Sequence, residues 1–266
     1  VNELERIVAR TRQELVVRTA QRPLSSLTLL AEQRLAADPP RPFAAALTAP
    51  GLSVIAEHKR RSPSAGVIRE GLEIEHVVGA YERGGARALS VLTERVGFGG
   101  TLEDLGRARR AATLPILRKD FIVDPYQVTE AIAAGADAIL LIVAALAPGE
   151  LATLHARASD AGLGVLVEVH DSDELEIAAA LDVPGPRIIG INNRDLTTLA
   201  VDLERTFELR DAVPANAIVV SESGLRTAAD LDRVAGTGID AVLIGESLMR
   251  ADDVQAAARA LTTRLR

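Results

Sequence analysis

Ala138-Ile139-Leu140-Leu141-Ile142-Val143 is six apolar residues in succession, with no polar residue on either parity. A strand with one wet face would alternate, so an unbroken run suits a strand buried on both faces, as in a parallel sheet covered by helices. Runs of the same kind recur at Leu52–Ala56, Ala88–Leu92 and Pro115–Leu117 before it, and at Val165–Val167, Arg187–Ile191, Ala217–Val220 and Ala241–Ile244 after it. Their C-terminal ends fall near residues 59, 93, 119, 142, 168, 192, 222 and 245. Each interval has room for one helix and two short loops, and helix-like segments such as Glu75–Gly84, Leu102–Ala112 and Gly149–Ala161 fill them. Eight such units predict the α/β class, as a closed (β/α)8 TIM barrel over residues 51–266 rather than an open doubly wound sheet. Residues 1–50 hold two amphipathic stretches, Glu3–Thr19 and Ser25–Ala37, and then the break Pro39-Pro40-Arg41-Pro42. They read as a helical extension packed on the barrel, because a separate domain of that size would hold little core.

Composition narrows the function. The chain has 266 residues, 48% hydrophobic and 25% charged, enough for a sizeable core. Its 30 Lys plus Arg against 37 Asp plus Glu give a formal net charge of −7, which argues against a nucleic-acid binder. With no cysteine, disulfides, thiolate nucleophiles and Cys-ligated metals are excluded. The four histidines, at 58, 76, 155 and 170, have no i, i+4 pair, so no metal site is expected. No run approaches the roughly 18 apolar residues of a membrane span. The charges interleaved through Val1–Ala20 do not read as a signal peptide, and the expected location is cytoplasmic.

Of the 30 basic residues only Lys59 and Lys119 are lysines. Guanidinium serves solubility as well as ammonium does but cannot deliver a proton, so a chain that otherwise uses arginine can reserve lysine for a titratable amine. Position supports this, since catalytic groups of such barrels come from strand C-terminal ends and the loops after them. The ends read Glu57-His58-Lys59, Thr93-Glu94, Arg118-Lys119-Asp120, Glu168, Asn192-Asn193-Arg194 and Glu222-Ser223. Alternation puts Glu57 and Lys59 on one face and His58 on the other, against the helices; it pairs Asn192 with Arg194 and Lys119 with Leu117. His170 is expected in a loop or helix cap, although it could overlook the mouth. His76 and His155, within helical stretches, are expected to be solvated.

Two glycine turns, Ser221-Glu222-Ser223-Gly224 and Ile244-Gly245-Glu246-Ser247, follow the last two strands, where barrels commonly bind phosphate. Ser62, after the first strand, can add a hydroxyl, and Phe98 and Phe121 can wall a ring. Two amines and the carboxylates Glu57, Glu168 and Glu222 around one mouth suit proton transfer on a sugar phosphate.

Seven ordered segments carry a family resemblance: 55–64 (Ile-Ala-Glu-His-Lys-Arg-Arg-Ser-Pro-Ser), 90–94 with 98–100, 117–121 (Leu-Arg-Lys-Asp-Phe), 166–170 (Leu-Val-Glu-Val-His), 189–196 (Ile-Gly-Ile-Asn-Asn-Arg-Asp-Leu), 221–224 and 244–249. The chain resembles the indole-3-glycerol-phosphate synthases of tryptophan biosynthesis. The resemblance implies a carboxy-lyase that closes the ring of 1-(2-carboxyphenylamino)-1-deoxyribulose 5-phosphate with loss of carbon dioxide and water, and needs no cofactor. It implies that Lys119 is the general acid, that Lys59 lies near the substrate carboxylate, that Glu168 transfers a proton during dehydration, and that Glu57 and Glu222 shape the charge. Asn192, Arg194 and Ser223 would hold substrate polar groups. Ser62, Gly224, Gly245 and the backbone of Glu246 would hold phosphate, and Phe98, Phe121 and Leu196 would line the aromatic pocket. Two departures stand out: His58 occupies a position usually branched aliphatic in the family, and Ala65 one that is often lysine.

A Schiff-base aldolase on the same fold and a non-catalytic phosphate-binding barrel stay open as alternatives. The expected partner is a small sugar-phosphate substrate, with neither nucleic acid nor membrane. A monomer is the simplest expectation, and association with other tryptophan-pathway enzymes stays open.

Overall fold

Each apolar run forms a strand, and each strand pairs in parallel with the next until the last closes on the first. The computed structural model describes residues 2–196, 198–225 and 227–265. Val1, Thr197, Arg226 and Arg266, of which the first and last bound the two regions drawn from the sequence, lie outside the described residues. The barrel strands are β1 (Ser53–His58), β2 (Ala88–Leu92), β3 (Ile116–Lys119), β4 (Ala138–Ile142), β5 (Gly164–Val169), β6 (Ile188–Asn192), β7 (Ile218–Glu222) and β8 (Ala241–Ile244). β8 closes on β1 in the register Ser53 to Ala241. A two-residue hairpin pairs Arg61 with Val67 in the loop after β1.

Alternation sorts the side chains into two cores. Ile55, Ala88, Leu117, Leu140, Leu166, Ile188, Val220 and Leu243 fill the barrel interior, while Val54, Val91, Ile139, Val167, Ile189 and Val242 pack outward against helices. His58 is buried on that outer side, as parity requires. The helix starts carry local signals: Thr101 and Asp104 form a capping box on Leu102–Ala111, and Asp124 caps Pro125–Ala134 with Pro at its first turn.

The first 50 residues touch both ends of the barrel. Helix α1 (Glu3–Gln21) sends Leu4 and Ile7 into the interior core at the mouth, and helix α2 (Leu24–Ala37) runs along Pro125–Ala134. The short helix α3 (Phe43–Leu47) buries Phe43 and Leu47 at the opposite end, where the Phe43 ring lies over Gly164. Asp137 joins extension and barrel. Its fully buried carboxylate accepts from Arg34 Nη2 (3.2 Å), Arg109 Nη1 (2.6 Å) and the amides of Arg41 (2.8 Å) and Ile116 (2.9 Å).

One histidine departs from expectation. His155 is buried, because Leu151, Leu154, His155 and Ala158 form the inner stripe of Pro148–Asp160 at i, i+3, i+4, i+7 spacing. Its Nδ1 lies 3.3 Å from Ser159 Oγ. His76 is exposed.

Candidate active site

The C-terminal ends of the strands surround a cavity of about 390 Å³. All fifteen residues expected at the site lie on its wall: Glu57, Lys59, Ser62, Phe98, Lys119, Phe121, Glu168, Asn192, Arg194, Leu196, Glu222, Ser223, Gly224, Gly245 and Glu246, whereas the strand-end residues Thr93, Glu94, Arg118 and Asn193 do not. Five of the polar ones get there by a single rule. Glu57, Lys119, Glu168, Asn192 and Glu222 each hold an inward position at the last turn of the pleat, above the apolar layers.

Lys119 is the hub. Its ammonium donates to Glu168 Oε2 at 2.8 Å and lies 3.3 Å from Glu222 Oε2. Lys59 pairs separately with Glu57 Oε1 at 2.7 Å, and Ser90 Oγ donates to Glu57 Oε2 at 3.3 Å. Asn192 Nδ2 donates to Glu168 Oε1 at 2.9 Å, while Asn192 Oδ1 accepts from the Arg194 amide at 3.0 Å. The oxygens of Glu222 accept no hydrogen bond from the described residues.

These contacts drive the titrations apart. Burial alone would lower the Lys119 ammonium, but Glu168, Glu222 and Glu57 outweigh it and hold the amine above its ordinary range. Burial would raise Glu168, but Lys119 and His170 hold it well below the usual carboxylate range. Glu222 goes the other way: burial, with Glu168 and Glu57 as like charges, raises it against the pull of Lys119. One mouth thus offers a firmly charged ammonium, a firmly ionised carboxylate and a carboxyl group close to neutrality.

The apolar wall is equally local. The Phe98 and Phe121 rings stand 6.3 Å apart, tilted at 41°, with Leu196, Leu4 and Ile7 completing the surface. The loop after β3 is fixed from behind. Fully buried Arg118 donates to Asp120 Oδ2 (2.8 Å), Thr93 Oγ1 (3.1 Å) and Gln127 O (2.7 Å), and Asp120 Oδ1 accepts the Phe121 amide (2.9 Å). Across the mouth, Ser62, Gly224, Gly245 and Glu246 line the other end of the cavity. Ser223 there adopts a left-handed φ of 66°, and Asn193 Nδ2 donates to its carbonyl at 3.0 Å. Among the described residues no group of three His, Asp or Glu side chains is placed to hold a metal ion.

The sequence of the chain matches the family model described as indole-3-glycerol phosphate synthase over residues 4–261. The chain belongs to the indole-3-glycerol phosphate synthase family. It is 49% identical to indole-3-glycerol phosphate synthase 2 of Streptomyces coelicolor, over 88% of this chain and 89% of that protein. It is 48% identical to indole-3-glycerol phosphate synthase of Rhizorhabdus wittichii, over 98% of each. Solved structures with the same fold include thiamine phosphate pyrophosphorylase from Pyrococcus furiosus, at 20% identity and a TM-score of 0.59, covering 80% of this chain and 95% of that one. KGPDC from Streptococcus mutans has the same TM-score at 14% identity, covering 81% and 97%.

Several residues important to this family member's site were absent from the sequence reading. Leu4 and Ile7 reach the mouth from α1, which periodicity could not place at either end of the barrel. Gly190 on β6 makes room for a carboxylate, since a Cβ there would stand 2.2 Å from Glu222 Oε1. His170 stands, as expected, in the loop that directly precedes the helix cap at Asp171, and there it is buried with Nε2 3.3 Å from Glu168 Oε1. The signal was its two-residue spacing from Glu168, which gives both the same parity.

Proposed function

We propose that this chain is an indole-3-glycerol-phosphate synthase, acting on 1-(2-carboxyphenylamino)-1-deoxyribulose 5-phosphate. The observation that carries the reading is the Lys119 ammonium set between Glu168 and Glu222 in a cavity walled by two phenyl rings. The substrate's anilino ring lies against Phe98, Phe121 and Leu196. Its phosphate is held at the other end by Ser62 Oγ and by the backbone at Gly224, Gly245 and Glu246. Asn192, Arg194 and Ser223 hold hydroxyl and carboxylate groups between.

The ring carbon that bears the carboxylate attacks the ribulose carbonyl, and Lys119 gives its proton to the carbonyl oxygen. Carbon dioxide then leaves with its bonding pair left on the ring, which restores aromaticity. The new hydroxyl departs as water after protonation by a lysine, and Glu168 takes the proton lost in forming the indole double bond. Lys59, beside the substrate carboxylate, and Glu57 and Glu222 set the charge in which these transfers occur. A Schiff-base aldolase needs a neutral amine, and the carboxylates around Lys119 oppose that form.

Among the described residues no helix is long and apolar enough to cross a membrane, consistent with a cytoplasmic small-molecule enzyme. Mixing the protein with its proposed substrate tests the reading, since the chain has no tryptophan to obscure indole fluorescence. Appearance of indole emission with release of carbon dioxide is expected. No product at saturating substrate would contradict it.

A further inference from the structure

His170 has no part in the chemistry above and does not line the cavity, yet it is buried between two carboxylates. On one side its Nε2 lies 3.3 Å from Glu168 Oε1. On the other its Nδ1 lies 2.9 Å from Glu174 Oε2, and the same oxygen accepts the His170 backbone amide at 2.9 Å. Glu174 is itself set by the helix start, where Asp171 Oδ1 accepts the Glu174 amide at 2.9 Å. The ring is therefore gripped from the helix side and presented to Glu168.

We propose that His170, clamped by Glu174, is a positioning residue that holds Glu168 ionised and in a single orientation. An ionised carboxylate only accepts, so a ring that faces one at each nitrogen is matched in charge at both only as the imidazolium, which carries a proton on each nitrogen. Glu168 Oε2 accepts from Lys119 and Oε1 from Asn192, while the buried His170 Nε2, which has no hydrogen-bond partner among the described residues, stands 3.3 Å from Oε1 as an ion-pair contact that opposes its turning away. Burial would lower the His170 imidazole, but Glu168 and Glu174 outweigh it and push it up to about 9. The charged groups facing this triad are Glu168 on β5, Glu174 on the helix after it, and Lys119 on β3, with Glu222 beyond Lys119.

The inference rests on the proposed indole-forming reaction, and its test is the alkaline limb of the kcat profile. In the unmodified enzyme kcat is expected to fall as pH rises through about 9, where His170 loses its proton. His170→Gln is expected to lower kcat roughly tenfold, to leave KM within about twofold, and to abolish that fall. Glu174→Gln removes one of the two carboxylates and is expected to move the limb down by about one pH unit. A purely structural role would change the level of activity and leave the shape of the profile alone. A His170→Gln enzyme with kcat within about twofold of the unmodified one, or with the same limb, would overturn the proposal, as would a Glu174→Gln profile that does not move.

Should His170→Gln fail to fold, the imidazole Cε1–H titration of the unmodified protein decides. One of its four signals titrating above pH 8 is expected, because burial moves His58 and His155 the other way. If every signal titrates below about pH 7.5, the proposal fails. That outcome leaves the reaction itself untouched, whereas an unmodified enzyme that forms no product would contradict the reaction and not the titration.

Discussion

Lys119 at the end of β3 and Glu168 at the end of β5 meet at 2.8 Å across the mouth, with the whole of β4 between their strands. Only a closed sheet whose inward residues share one level brings them together, and the pair fixes the charge of both. Four expectations follow from this arrangement and from the packing that supports it.

Gly190→Ala places a methyl where Glu222 Oε1 now lies, 2.2 Å away, with Leu166 Cδ1 at 3.1 Å blocking retreat. The carboxylate must swing out and lose its place beside Lys119. We expect kcat to fall by roughly tenfold or more with modest loss of stability. Steady-state kinetics with a thermal melt checks this, and an unchanged kcat would show that the position of Glu222 is immaterial.

His58 is buried on the outer side of β1 with Nε2 unpartnered among the described residues. Burial, with Arg60 nearby, lowers its imidazole to about 4. The unfolded chain takes up this proton near 6.5 and the folded one only near 4, so stability falls as pH drops through that window and not above it. The integrated loss is on the order of 3 kcal/mol. His58→Val should match or exceed the unmodified protein in Tm at pH 7, keep activity near normal, and lose less on going to pH 4.5. Parallel losses in the two proteins would contradict the assignment.

Asp137→Ala leaves Arg34 and Arg109 without their shared carboxylate in a dry site, and strips the Arg41 and Ile116 amides of an acceptor. Removing one partner of a buried charge cluster costs about 3–5 kcal/mol. Denaturant unfolding should show that loss, with activity kept at low temperature because no mouth residue is touched. A change under about 1 kcal/mol would mean that the cluster is not what joins extension to barrel.

Much of this was legible because the features that carry it are local. Ala138–Ile142 and its seven counterparts are buried on both faces, so composition alone marks them. The polar residues that end them sit where the pleat leaves the apolar interior, which is why counting lysines led to the mouth. Features set by distant partners were not legible. Gly190 reads as an ordinary strand glycine until Glu222 arrives from the next strand. Phe43–Leu47 is too short and alanine-rich to show a period, and its place under the barrel depends on Gly164. His155 looks solvated in sequence, and nothing near His170 in sequence tells that its loop is buried. One is drawn in by the register of its helix, and the other is held in by carboxylates on both sides.

The most direct test of the central claim is the kcat of Lys119→Ala for indole formation, taken with its melting temperature. A positioned general acid contributes at least about 100-fold, so a fall of that size or more in a folded protein is the predicted result. A loss under about tenfold, with the fold retained, would contradict it.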